Sequence, residues 1–125
     1  MTELKWYWTS GLTAINKYTY DKMNMIENKQ FGADGTFQNR WKHQYDENNN
    51  LLEAIQYSAD STVNYKITYK YNVDKLLVEQ TNNYGESVQK STTFKYNKKN
   101  LLSAKKEYTS GERISAIYRY QYEFY

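Results

Sequence analysis

Apolar and polar side chains alternate along most of this chain, and the stretch 63–77 shows the pattern best. In VNYKITYKYNVDKLL, the apolar and aromatic residues Val63, Tyr65, Ile67, Tyr69 and Tyr71 occupy every second position. Successive side chains of a β-strand point to opposite sides of a sheet, so this alternation predicts a strand with one buried and one solvated face. The pattern breaks at 72–75 and restarts at Leu76, which predicts a turn followed by another strand.

The same unit of strand, aromatic-x-Tyr-Asx, turn and paired apolar residues recurs along the chain. The Tyr-Asx pairs are spaced 25, 26 and 25 residues apart, at Tyr20-Asp21, Tyr45-Asp46, Tyr71-Asn72 and Tyr96-Asn97. Apolar pairs follow them at Met25-Ile26, Leu51-Leu52, Leu76-Leu77 and Leu101-Leu102. We therefore predict one domain over residues 1–125, with a half repeat at 4–20 and repeats near 21–45, 46–71, 72–96 and 97–122.

The predicted fold class is all-β, an antiparallel up-and-down meander of about ten short strands. Glycine-containing turns such as Gly32–Gly35 alternate with Asp/Asn-rich turns, and both kinds of residue tolerate the left-handed backbone of tight hairpins. A sheet this wide has to curl as an open sheet or close into a barrel. Residues 51–60 and 101–108 could each form a short helix instead, but the equivalent LLVEQTNN favours strands.

The repeated motif resembles the YD repeat of Rhs, teneurin and insecticidal-toxin shell proteins. The matching segments are YTYD (18–21), HQYD (43–46), YKYN (69–72) and FKYN (94–97). The resemblance implies a spiralling strip of antiparallel hairpins. Four repeats are too few to enclose a cargo protein, so it implies a stand-alone module and not a complete shell.

Composition excludes several classes of protein. The chain has no cysteine, which excludes disulfides and thiolate chemistry, and its 18% aromatic content is typical of a folded chain. The net charge of +3 is spread evenly, so no nucleic-acid partner is predicted. No segment is long and apolar enough to predict a transmembrane span. Localisation stays open: extracellular or cell envelope if a signal peptide was removed, otherwise cytoplasmic.

Few residues suggest catalysis or metal binding. His43 is the single histidine and stands where other repeats have Tyr or Phe, so we interpret it as part of the sheet. Asp46, Asn48 and Asn50 are spaced like the start of a calcium loop, yet three oxygens fall short of calcium's six to eight. The carboxylates Glu53, Glu79 and Glu107 fit an outward charged ladder. We predict no enzyme, no catalytic residue, no metal and no cofactor.

The aromatic residues are the best candidates for a binding surface. The predicted ligand-binding residues are Trp6, Trp8, Trp41, Tyr45, Tyr69, Tyr71, Phe94, Tyr96, Tyr118 and Tyr120. Such rings combine a large contact area with a polar edge, so a protein or carbohydrate partner is expected. The predicted function is a non-enzymatic structural or binding repeat module, cell-surface or toxin-associated, able to associate edge to edge with itself. The alternatives are a lipocalin-like barrel carrying a small hydrophobic ligand and a toxin-neutralising, immunity-type partner.

Overall fold

The protein is an all-β chain of sequential antiparallel strands. The computed structural model describes residues 2–8, 11–85, 87–110 and 113–123, with only the backbone given for 2, 4–8, 12, 13, 88 and 89. Its strands are β1 (Thr2–Trp8), β2 (Gly11–Asp21), β3 (Asn24–Gly32), β4 (Phe37–Tyr45), β5 (Leu51–Ser58), β6 (Val63–Tyr71), β7 (Leu77–Tyr84), β8 (Ser87–Tyr96), β9 (Leu102–Thr109) and β10 (Arg113–Arg119). Strand order in the sheet follows the chain from β1 to β10.

This architecture confirms the predicted all-β meander. No helix occurs in the described ranges, and the two segments with an alternative helical interpretation form β5 and β9. The chain divides into two compact units, Met1–Lys66 and Ile67–Tyr125, which we describe one at a time as the first and the second unit. The assignment of all 125 residues to one domain stays a prediction.

Three Asx residues of the repeated motif, Asp46, Asn72 and Asn97, organise the turns that follow them. The Asp46 Oδ1 accepts the backbone N–H groups of Asn48 and Asn50 at 2.8 and 2.9 Å, and Asn49 N donates to the Asp46 carbonyl oxygen at 3.1 Å. Asn49 takes the left-handed conformation with φ of 64°. The turns after Asn72 and Asn97 repeat this geometry, with Lys75 at φ 63° and Asn100 at φ 60°. Each is a three-residue hairpin loop closed by a left-handed residue.

Tyr45 and Tyr96, which each precede an Asx residue, connect their strands to the neighbouring strand by a hydrogen bond. The Tyr45 hydroxyl donates to the Met25 carbonyl oxygen at 2.9 Å, and the Tyr96 hydroxyl donates to that of Leu77 at 2.6 Å. Burial raises the pKa of the Tyr96 hydroxyl, which keeps it protonated and able to donate. Tyr122 makes the same bond to the Leu102 carbonyl oxygen at 2.9 Å. The Tyr-Asx motif therefore serves the fold itself.

The sheet buries few of its described side chains. Among the described side chains, only those of Ala54 and Thr92 are buried, at 4% and 8% exposure. No large side chain in the described ranges is fully buried. The strands are therefore held together by backbone pairing, by turns and by half-buried cross-strand side-chain pairs. Each such side-chain pair contributes about 0.2–1 kcal/mol.

Register irregularities recur at matching places in the two units. The β4–β5 pairing shifts between Gln44 and Tyr45, and the β8–β9 pairing shifts between Lys95 and Tyr96. The β3–β4 and β7–β8 pairings also shift, after Gln30 and after Asn82. The group β3–β4–β5 and the group β7–β8–β9 therefore share one register, so their residues can be compared position by position.

Replacing Lys75 with glycine is expected to stabilise the protein by about 0.5–1 kcal/mol, because a left-handed backbone is costly for a residue with a Cβ. Urea unfolding monitored by circular dichroism measures the change. Asp74→Gly in the same turn is the control, since Asp74 has no positive φ to relieve and glycine there only adds freedom to the unfolded chain. Equal destabilisation by both variants would contradict the turn geometry.

Tyr96→Phe is expected to cost about 1 kcal/mol of unfolding free energy, because it removes the hydrogen bond to the Leu77 carbonyl oxygen. The control is Tyr20→Phe at the same motif position, where Tyr20 is 48% exposed and its hydroxyl has no partner among the described residues. Chemical denaturation of both variants gives the comparison. The proposed role of the motif tyrosine fails if the two substitutions have the same small effect.

Candidate functional site

Apart from the Asp21 and Asp46 turns, one face of strands β2–β5 carries no charged side chain between Ala14 and Ser58. The cross-strand register aligns Tyr18, Asn28, Trp41 and Gln56 in one row, and Asn16, Gln30 and Asn39 in the next. His43 and Ala54 continue this face on the other side of the row. We call the set Asn16, Tyr18, Asn28, Gln30, Asn39, Trp41, His43, Ala54, Gln56 and Tyr65 the neutral face. It consists mainly of rings and side-chain amides.

The opposite face collects the charges of the same strands. Alternation along the paired strands places there Lys17, Glu27, Lys29, Arg40, Lys42 and Glu53. Glu27 pairs with Lys29 at 3.3 Å, and Glu53 pairs with Lys66 at 2.6 Å. The Arg40 guanidinium lies over the Tyr57 ring, 4.9 Å from its centroid. The two faces therefore differ completely in charge.

Trp41 lies at the centre of the neutral face and contacts two other rings. Its indole is stacked with the His43 imidazole, with centroids 6.3 Å apart and planes inclined by 22°. The Tyr65 ring meets it edge-on at 5.9 Å and 80°. Such ring pairs contribute roughly 0.5–1.5 kcal/mol beyond area burial, so they hold the indole in place. Trp41 is half-buried, and part of it remains exposed.

The His43 imidazole is half-buried on the neutral face. Burial lowers the pKa of this imidazole below 6.5, because a charged ring loses hydration there. The His43 Nδ1 is buried and has no hydrogen-bond partner among the described residues. The same is true of the Asn28 Oδ1 on the same face. His43 lines a small cavity with Asp21 and Asp46, but a general base needs a carboxylate that orients its ring, and no described carboxylate is hydrogen-bonded to the His43 Nδ1. His43 acts here as a packing ring.

The second unit has a different set of side chains at the matching positions. The register partners of Trp41 are Asn28 and Gln56, and those of Thr92 are Gln80 and Glu107. Thr92 thus occupies the tryptophan position. Lys90 and Lys105 pair with Glu107 at 3.3 and 3.2 Å, and these contacts lower the pKa of the Glu107 carboxyl. The repeat therefore folds without a tryptophan there, and the neutral face is a feature of the first unit.

The other predicted binding residues have varied environments. Tyr45 and Tyr96 make the structural hydrogen bonds described above, and the side chains of Trp6 and Trp8 lie outside the described part. In the second unit the remaining members are Tyr69, Tyr71 and Phe94, which are half-buried, and Tyr118 and Tyr120, which are 46% and 42% exposed. The Lys105 ammonium lies over the Tyr118 ring at 5.2 Å. The ring-to-ring contacts Phe31–Phe37, Trp41–His43 and Trp41–Tyr65 lie in the first unit.

The acidic residues considered for chemistry have structural partners. The Asp46 carboxylate accepts hydrogen bonds from Asn48 and Asn50 and so caps its turn. Glu79 pairs with Lys70 at 3.0 Å. No cluster of three metal-ligating His, Asp or Glu side chains occurs within the described ranges. In the same part of the chain, no helix is long and apolar enough to cross a membrane.

A groove of about 370 Å³ lies on the first unit, mostly between residues of the charged face. Its lining includes Thr19, Lys42 and Ile55, together with Glu27 and Glu53. Both carboxylates are ion-paired with lysines, and Lys42 is exposed to solvent. This mixture of opposite charges does not favour one class of ligand.

Sequence patterns missed the amides of the neutral face. Asn28, Gln30, Asn39 and Gln56 are polar and were therefore assigned to no site. Asn39 shares its side of β4 with Trp41 and His43, whereas Asn28, Gln30 and Gln56 join that face only through their cross-strand pairing with β4. Recognising it requires the cross-strand register, which depends on the irregularities at Gln30 and Gln44.

Comparison with known proteins supports the fold alone. No protein-family model matches the chain, and no curated protein matches it. Among solved structures, the chain is similar to the crystal structure of a protein of unknown function from Bacteroides fragilis. The TM-score is 0.58 at 13% identity, over 86% of this chain and 92% of that one. The fold and the site together describe an all-β sheet of sequential antiparallel hairpin strands whose first unit carries the neutral face.

The unfolding free energy is expected to fall as pH drops below about 6.5, because the unfolded chain protonates His43 more readily than the folded one does. The contribution is complete above pH 6.5 and is lost as pH falls through the lower folded pKa. Urea unfolding at pH 7.5 and pH 5 measures it. His43→Phe, the residue that the second unit has at this position, should reduce the pH dependence; an unchanged slope would contradict burial of the imidazole.

Proposed function

We propose that this protein is a non-enzymatic binding module built from YD-like β-hairpin repeats, and that it binds its ligand through the neutral face around Trp41. The observation that carries the proposal is that the two units have different side chains, Trp41 and Thr92, at the same register position. The second unit forms the same hairpins with Thr92 where the first unit has Trp41. A large ring that the repeat does not require, half-exposed among side-chain amides, is well suited to binding.

The other features of the first unit favour binding over catalysis. His43 is a packing ring without a carboxylate partner on its face. Glu27 and Glu53 on the charged face are held by lysines. General acid–base catalysis needs titratable groups positioned against a substrate, and the ion pairs occupy these carboxylates instead. The neutral face offers contact area and hydrogen bonds, which are what recognition requires.

Trp41→Thr tests the proposal, because threonine is the residue that the fold accepts at the matching position. Wild type and variant are applied to a displayed peptide library and to a glycan array. We expect wild-type hits to lose at least tenfold in affinity in Trp41→Thr and to be retained by Tyr57→Thr on the charged face. Circular dichroism confirms that both variants keep the strand content. Hits bound equally by Trp41→Thr, or a complete lack of hits, would contradict the proposal.

A further inference from the structure

We infer that the ligand of the neutral face is an uncharged saccharide chain, an inference that rests on the proposed function. Charge complementarity gives the first argument. All charged side chains of β2–β5 between Ala14 and Ser58, apart from those at the Asp21 and Asp46 turns, lie on the opposite face. A charged ligand would gain no ion pair on the neutral face and would lose hydration, which costs free energy.

The amides of the neutral face match the hydrogen-bonding properties of a saccharide. Each Asn or Gln side chain has both donors and an acceptor, and each sugar hydroxyl can also donate and accept. Asn28 and Gln56 flank Trp41 on the two neighbouring strands, and the Asn39 Nδ2 donates to the Gln30 Oε1 at 2.9 Å in the next row. The Asn28 Oδ1 has no partner among the described residues. This oxygen is buried, so a ligand hydroxyl can bond to it only after the Asn28 side chain turns toward the ligand.

The indole of Trp41 supplies an apolar surface for the C–H face of a pyranose ring. Its contacts with His43 and Tyr65 fix its orientation before the ligand arrives, which lowers the entropic cost of binding. The row from Tyr18 to Gln56 crosses four strands, a span of about 14 Å at ordinary strand spacing. A row of this length suits a chain of several sugars better than a single one.

A peptide ligand fits this face less well. Extended peptides are commonly held by main-chain hydrogen bonds at the edge of a sheet, whereas the row around Trp41 lies on the face of interior strands. On that face the backbone groups of β3, β4 and β5 are already paired with one another. Recognition there has to use side chains alone, as the rings and amides of the neutral face would do.

Titration of the full ¹⁵N-labelled chain by NMR tests the inference. The probes are cellohexaose, mannohexaose and maltohexaose, with hexagalacturonate as the charged counterpart. At least one neutral hexasaccharide should shift the Trp41 indole N–H and the Asn28 and Gln56 amide signals in a saturable way. Hexagalacturonate should bind at least tenfold more weakly, and raising the salt concentration should leave the neutral affinity unchanged, because no ion pair is involved.

Two variants assign the binding to the neutral face. Trp41→Ala should weaken the neutral saccharide at least tenfold, and Tyr57→Ala, which removes a ring from the charged face of β5, should leave it unchanged. Failure of all three neutral probes, or tighter binding of hexagalacturonate, overturns the saccharide inference; peptide hits that depend on Trp41 would then leave the proposed function intact. Saccharide binding that persists in Trp41→Ala overturns both.

Discussion

The structure depends on hairpin register being fixed locally, because the sheet has almost no core to fix it. In most β proteins a buried face penalises a register slip, since a slip of one residue moves every apolar side chain to the wrong side. Here only Ala54 and Thr92 are buried among the described side chains. The Tyr-Asx motif provides a substitute: the Asx side chain shapes the turn, and the tyrosine hydroxyl ties the strand end to its neighbour.

Because the Tyr-Asx motif fixes the strand register at the turns, the side chains at the other strand positions can vary. Positions between the turns can carry different side chains without loss of the hairpin, as Trp41 and Thr92 show at one shared register position. The first unit uses this freedom to separate rings and amides from charges. The second unit places the Lys90, Glu107 and Lys105 ion pairs at the equivalent site. A repeat of this kind can therefore form different surfaces on one scaffold.

Alternation and repetition were enough to predict the strands, their sequential order and the turns. The same patterns could not show that the Tyr45 and Tyr96 hydroxyls form hydrogen bonds to the neighbouring strand, because such a bond does not change the spacing of residues in the sequence. The sequence patterns also could not predict the register shifts between paired strands. Alternation along β4 alone would place Phe37 on the side of Trp41, but the shift after Gln30 pairs Phe37 with Phe31 on the charged face, where the two ring centroids lie 5.6 Å apart.

The central claim is that cross-strand register segregates charge in the first unit, and NOE spectroscopy of the labelled protein measures that register directly. The account predicts backbone contacts from Trp41 to Asn28 on one side and to Gln56 on the other. Contacts from Trp41 to Glu27 or Ile55 would show a register displaced by one residue. Such a displacement would place the indole among the charged side chains and contradict the existence of a neutral face.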